Sequence, residues 1–401
     1  MQFAILSHIL PPSPSGQAVA LYRILSRIDP DSYYLISREF YPQEKHRADN
    51  ALPLKATYHA LSPEPQVYYP NRYGFWRIRN LINIFLSIFL RTVNILKVIR
   101  NNPIRILIAC TGDFADIPAG FLASRIKGIP FIAYIFDDYV YQWTGGYRRV
   151  AKMISPFIFK WSRGIIGPNE FICDEYQQRY RVKSALVRNP CAMGELTKSV
   201  YTRWPTEKDK IRIIYTGAVY HANYDCFRNL IRAMDILIEY NLELHIFTAQ
   251  TPEQLVDQQI EGEYVFIHSH VPYSQILEQQ RKADILFLPL AFESPIPEVI
   301  RTSAPGKLGE YLASGRPVLA HVPADSFVAY YLGSYRCGCV ADQNDPYRLA
   351  MQIKGLVTDT EVRFEIIQNA LRQAHRDFSP ETARNILLEY LKNVSGLEIT
   401  Q

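Results

Sequence analysis

Cysteine is scarce. The chain has 401 residues and 6 cysteines, too few for a disulfide-stapled scaffold. Cys337 and Cys339 form only a C-x-C, with no second pair and no histidine at ligand spacing. Reduced structural thiols are therefore expected, in a cytoplasmic setting. No apolar run reaches the ~18 residues that a membrane span needs. The opening residues, MQFAILSHIL, lack a basic segment and a small-residue cleavage pattern, so they read as a buried strand rather than a signal peptide. Hydrophobic residues at 48% against charged residues at 21% exclude wholesale disorder. No basic-aromatic motif of the usual nucleic-acid kinds appears, which argues against RNA or DNA as a partner. Acid is missing from one long stretch. Nothing between Glu64 and Asp113 is acidic, while Arg72, Arg77, Arg79, Arg91, Lys97, Arg100 and Arg105 are basic.

What is present divides into two halves. Residues 1–200 hold 25 Lys+Arg and 14 Asp+Glu, a balance of 25 − 14 = +11. Residues 201–401 hold 19 and 25, a balance of 19 − 25 = −6. Opposite signs suggest two domains with different neighbours, the basic one suited to anionic substrates or an anionic surface. In the first half, apolar runs at FAILSH (3–8), IRILIAC (104–110), FIAYIF (131–136) and GIIGPN (164–169) alternate with helical periods such as QAVALYRILSRI. The second half restarts the rhythm with KIRIIYTGAVY (210–220), then LELHIFTA, EYVFIHSHVP, ADILFLPLAF and RPVLAHVP, each separated by a helical stretch. Strands spaced by helices predict parallel sheets with crossovers. The expectation is α/β: an N-terminal doubly wound domain at 1–190, a linker at 191–205 and a C-terminal doubly wound domain at 206–375. A last helical segment, 376–401, is expected to pack back on the N-terminal domain. Ligands of such sheets sit outside the carboxyl ends of the strands.

The most informative segment is TSAPGKLGEYLASGRPV (302–318). Pro305 fits a helix start, Gly306 lets the backbone approach a ligand, and Gly315 with Pro317 ends the helix. Lys307 in the first turn opposes the helix dipole, which favours acids there. That placement makes sense if an anion such as phosphate binds at the helix start. Glu310 lies one turn on, on the same side. A helix with a surface lysine and a solvated glutamate fits these residues as well. Asp137-Asp138, after the strand FIAYIF, suit either acceptor activation or helix capping.

The stretch Lys307-Leu-Gly-Glu310-Tyr-Leu-Ala-Ser-Gly315-Arg-Pro317-Val resembles the nucleotide-binding K-x-x-E-Y-L-x-x-G-x-P-V segment of the large retaining GT-B glycosyltransferase family, family 4. The opening strand with PPSPSG (11–16) and the turn TGAVY (216–220) resemble that family's two glycine loops, in the right order. The resemblance implies a GT-B fold, with two tandem Rossmann-like domains and an active site in the cleft between them. It implies a glycosyltransferase moving a sugar from a nucleotide-sugar donor, UDP among the candidates, to a glycan, lipid-linked or small-molecule acceptor. Retention is implied, with no metal and no cofactor beyond the co-substrate. Glu310 would bind the ribose hydroxyls. Gly306, Lys307 and Gly217 would hold the diphosphate, with Gly16 across the cleft. His270 and Val271 would lie near the base. His221, Arg301, Thr302 and Ser303 complete the implied donor set, and Asp137, Asp138 and Lys307 the catalytic one.

The sequence departs from the family in places. Thr302 stands where many members carry the first glutamate of an E-x7-E pair. Ala218-Val219-Tyr220-His221 stands where an arginine and lysine often follow the glycine turn, and Asp137-Asp138 where His-Asp is common. These departures keep two other readings open: a nucleotide-sugar 2-epimerase of the same fold, and a non-catalytic nucleotide- or partner-binding protein.

Within the acid-free stretch, LINIFLSIFL (81–90) gives a wide apolar face. Asn80, Asn83, Ser87, Arg91 and Asn94 make a narrow polar stripe on the same predicted helix, 76–100. Core packing explains part of it. A basic amphipathic helix also suits the anionic inner face of a membrane, with 72–105 as the contact.

Overall fold

The computed structural model describes residues 2–39, 53–65, 76–193, 210–269, 271 and 273–396. Two compact units emerge: Met1–Arg188 with Pro380–Gln401, and Asn189–Ser379.

The first unit begins β1 (Phe3–Leu6), α1 (Gly16–Leu25), β2 (Tyr33–Ser37), β3 (Thr57–Ala60) and α2 (Trp76–Asn101). It continues β4 (Ile106–Cys110), α3 (Asp116–Lys127), β5 (Phe131–Tyr134), α4 (Gly145–Trp161), β6 (Gly164–Gly167), α5 (Glu170–Tyr180) and β7 (Ser184–Leu186). The strands make one parallel sheet in the order β3-β2-β1-β4-β5-β6-β7. Every residue of β1, β4, β5 and β6 is buried. Strands covered on both faces carry unbroken apolar runs, which is why these four are easy to see in the sequence. The short strands β2 and β3 and the helix α4 have no such signature and escape a reading by pattern. The direction of the strand order reverses between β1 and β4, so the loops after those two strands diverge and leave a crevice at their carboxyl ends.

The second unit runs β8 (Ile211–Thr216), α6 (Tyr224–Ile236), β9 (Leu242–Thr248), α7 (Pro252–Val256), β10 (Val265–Ser269) and α8 (Tyr273–Arg281). There follow β11 (Ile285–Pro289), α9 (Pro297–Thr302), α10 (Gly306–Ala313), β12 (Val318–His321), α11 (Phe327–Ser334), β13 (Cys339–Ala341), α12 (Pro346–Thr358) and α13 (Thr360–Asp377). Its parallel sheet has the order β10-β9-β8-β11-β12-β13, with the reversal between β8 and β11. The last helix, α14 (Pro380–Ser395), belongs to the first unit. Its Ala383, Leu387 and Leu391 enter the core made by Phe3, Ile5, Leu21 and Ile106.

Helix α2 corrects the expectation set by its pattern. Its polar stripe faces inward. Arg91 is 1% exposed. It forms a two-pronged pair with Glu64 at 2.7 and 2.9 Å, meets Asp116 at 2.7 Å and also pairs with Asp113. Arg91 is therefore no surface-binding residue. Ile84, Ile88, Ile95 and Ile99 join the core on the same side. From Ile78 to Asn101 the helix is long and apolar enough to cross a membrane, with mean hydropathy 1.7, although the sequence shows no single uninterrupted apolar run of that length. Those core contacts tie it to the sheet. All six cysteines are free, Cys337 and Cys339 included.

Candidate nucleotide site

The second unit gathers its chemistry at the carboxyl end of β8. Tyr215 and Thr216 end the strand. Gly217 follows with φ +128, a conformation that only glycine adopts without strain. A Cβ there would lie 2.7 Å from Lys307 Nζ, so the lysine head rests directly on the glycine backbone. Lys307 comes from the first turn of α10, whose start at Pro305 has no side-chain cap. Its ammonium donates to Tyr215 Oη at 2.6 Å and stands 4.1 Å from the centre of that ring. The half-buried Lys307 is pulled down from 10.5 to about 8 by desolvation, against the opposing charge of Glu310. A cation held in such a place gains from an incoming anion, which would restore the solvation it lost.

Glu310, one turn further along α10, accepts from Gln280 Nε2 at 3.4 Å. The same amide donates to Thr216 Oγ1 at 3.2 Å, and Gln280 Oε1 is buried with no hydrogen-bond partner. Tyr311 Oη receives the Thr216 backbone N–H at 3.0 Å, stitching α10 to β8. The loop after Gly217 is pinned as well. Tyr215 Oη donates to Ala218 O at 2.5 Å, Asn223 Oδ1 accepts from Tyr220 N at 2.9 Å, and Gln250 Oε1 accepts from Val219 N at 3.0 Å. Sequence reasoning found Gly217, Gly306, Lys307 and Glu310. It missed Tyr215, Asn223, Gln250, Gln280 and Tyr311. Asn223 binds within its own turn, but the contacts that join Tyr215, Gln250, Gln280 and Tyr311 to the site span 30 to 95 positions.

The other sequence candidates separate into groups. Gly306 opens α10 with nothing within 4 Å of a Cβ built on it, so its backbone is approachable. His221 is exposed on the β8–α6 loop, edge-on to Tyr220. Val271 follows β10, and His270 lies outside the described residues. Arg301 and Thr302 end α9. Thr302 is buried, with its hydroxyl turned back to Glu298 O at 3.0 Å, and Ser303 is the C-cap.

In the first unit, Gly16 opens α1 behind the Ser15 cap. Asp137 and Asp138 part company. Asp137 is exposed, while Asp138 is 1% exposed and ion-paired with Arg179. Asp138 also accepts the N–H groups of Val140 at 2.8 Å and Tyr141 at 2.9 Å. Its carboxylate is spent on that turn, so its assignment as a catalytic group is corrected: it is a capping acid. A further polar group stands at the crevice between β1 and β4. The His8 ring lies against Gly112, with Nδ1 buried and unpartnered. Burial lowers the His8 pKa, although Asp113 and Glu39 raise it, so the imidazole is neutral at ordinary pH. Among the described residues, no group of three His, Cys, Asp or Glu side chains converges in a way that could hold a metal ion.

This arrangement can be set against known proteins. Residues 210–359 match the family model described as Glycosyl transferases group 1. The chain has the GT-B fold. A glycosyltransferase from Rickettsia africae superposes with a TM-score of 0.69 at 12% identity, covering 99% of this chain and 100% of that one. Anabaena HepE in complex with UDP-glucose gives 0.65 at 14%, covering 98% and 100%. Sucrose-phosphate synthase from Thermosynechococcus elongatus gives 0.68 at 11%, covering 99% and 100%. No curated protein matches the sequence. The matched stretch of this GT-B chain contains Gly217, Gln280, Lys307 and Glu310 together.

Proposed function

We propose that this GT-B protein is a glycosyltransferase that takes a sugar from a nucleotide-sugar and passes it to an acceptor hydroxyl, with retention of configuration. The carrying observation is the Lys307 ammonium seated on Gly217 at the start of α10, with Glu310 one turn beyond. A nucleoside diphosphate presents a ribose diol and two phosphates. A carboxylate can accept from both ribose hydroxyls. A lysine and a helix N-terminus can meet the phosphates. The presence of UDP-glucose in the similar HepE structure supports uridine as the base.

The chemistry then needs few groups. The bond from the anomeric carbon to the β-phosphate oxygen breaks, and charge grows on the departing diphosphate. Lys307, whose charge is already partly desolvated, and the backbone N–H groups of the α10 start stabilise that charge. The acceptor oxygen bonds to the same face of the carbon, and its proton passes to the leaving phosphate. With a lysine and a helix end meeting the charge, we assign no metal to the reaction. Acceptor recognition we assign to the first unit, where neutral His8 and exposed Asp137 stand at strand ends, and we propose a lipid-linked or polysaccharide-precursor acceptor at the cytoplasmic face of a membrane.

The experiment is nucleotide titration of wild type and Glu310→Gln with UDP, GDP, dTDP and ADP, followed by thermal stabilisation, together with donor turnover in EDTA. Losing charge-assisted acceptance of the ribose hydroxyls should cost about 1.5–3 kcal/mol of affinity. Unchanged affinity in Glu310→Gln would remove the ribose assignment. Turnover abolished by EDTA and restored by manganese would overturn the metal-free reading.

A further inference from the structure

Helices α2, α3 and α4 cover one face of the first unit's sheet and share one core, through Ile88 and Ile95 of α2, Ile117 and Phe121 of α3, and Ile158 and Phe159 of α4. Their outward sides are unusual for a protein surface. Phe89 is 63% exposed, Ile126 66%, Met153 64% and Phe157 59%. Ile78, Ile82 and Phe85 continue the apolar flank along α2, at helical spacing with Phe89. Trp161 closes α4, 53% exposed, with the Arg125 guanidinium 5.8 Å from its ring. Phe157 meets Phe121 edge-on at 5.6 Å, joining α4 to α3. Single exposed apolar residues are ordinary, but several large ones on three adjoining helices mark a surface that meets something.

Charge decides what it meets. Across the three helices the only acid is Asp116, which is buried and paired with Arg91. The exposed charges are all basic: Lys97 and Arg100 on α2, Arg125 and Lys127 on α3, Arg149, Lys152 and Lys160 on α4. A second copy of this face would bring the same sign and be repelled. Lysine is also depleted from protein interfaces, whereas long basic side chains beside aromatic ones suit the water boundary of a bilayer.

We propose that the outer face of α2, α3 and α4 docks on an anionic lipid bilayer, with Phe89, Phe157 and Trp161 inserted among the headgroups and Lys152 and Lys160 paired with lipid charge. The helices lie on the surface and do not span it, because the opposite side of α2 is committed to the core. This docking stands independently of the nucleotide site and gives the protein access to acceptors held in a membrane.

The test is co-flotation of the full chain with vesicles of phosphatidylglycerol and phosphatidylcholine, or of phosphatidylcholine alone, at low and high salt. Binding should require the anionic lipid and weaken as salt rises. The triple variant F89S, F157S and W161S should lose about a thousandfold in partition, since each half-exposed aromatic is worth about tenfold on insertion. Lys152→Glu with Lys160→Glu should lose about tenfold at low salt. Both variants should keep wild-type melting and UDP stabilisation, so a failed nucleotide site is distinguishable from a failed membrane site. Phe364→Ser, at a residue 58% exposed in the second unit, should change nothing. Equal flotation of wild type and the triple variant, no flotation at all, or a solution dimer broken by F157S would overturn the proposal.

Discussion

Replacing Lys307 by methionine should make the unliganded protein more stable and its nucleotide complex weaker. The wild-type side chain is held in a site that disfavours its charge, at about 8 rather than 10.5. At about 1.4 kcal/mol per unit, that shift is worth about 3 kcal/mol against the ammonium. Lys307 is only half-buried, so about 1–2 kcal/mol is the gain expected from the neutral, similarly sized methionine. The pH dependence has a definite sign. Below about pH 8 the lysine is charged in both folded and unfolded chains, and the folded protein bears the whole penalty. Between there and 10.5 the folded chain has already lost the proton that the unfolded chain keeps, so wild-type stability rises with pH through that window. The advantage of methionine should therefore be full near neutral pH and fade in alkali. A bound diphosphate should lift the lysine again, so UDP binding above about pH 8 takes up a proton and weakens as pH rises. Urea unfolding of both proteins at neutral and alkaline pH, with and without UDP, measures every part. Saturating UDP at about 100 times its dissociation constant should add about 2.7 kcal/mol to wild type and markedly less to the variant. A variant less stable than wild type near neutral pH, or one still stabilised fully by UDP, would refute the argument.

Two further substitutions probe the frame around the site. Gly217→Ala places a methyl 2.7 Å from Lys307 Nζ on a backbone at φ +128; it should cost about 1–3 kcal/mol in thermal unfolding and weaken nucleotide binding with it. Arg91→Gln leaves Glu64, Asp113 and Asp116 without their buried cation and should cost about 3–5 kcal/mol at neutral pH. Asp116 is already raised to about 7, chiefly by burial and then by Asp113, so the penalty should shrink between about pH 7 and pH 5, where Asp116 takes up a proton. An Arg91→Gln protein that unfolds like wild type at both pH values would show that the cluster contributes nothing.

Much of this molecule could be read from spacing along the chain. Fully buried parallel strands must be apolar throughout, so β1, β4, β5, β11 and β12 announce themselves, and helices between them imply two doubly wound sheets. The Gly306-Lys307-x-x-Glu310 spacing was legible because one helical turn sets it. Periodicity tells which residues share a helix face, but not which face meets protein. That is why the pattern of α2 left both core packing and a membrane contact open: the partners that draw Arg91 inward sit 22, 25 and 27 positions away. Asp138 was ambiguous for the same reason, since its partner Arg179 is 41 residues distant. Tyr215 beneath Lys307, Gln280 bridging Thr216 and Glu310, and the exposed aromatic residues of α2 and α4 were decided only when the helices packed. Burial and hydrogen-bond satisfaction are properties of neighbours in space, and a linear pattern fixes only neighbours along the chain.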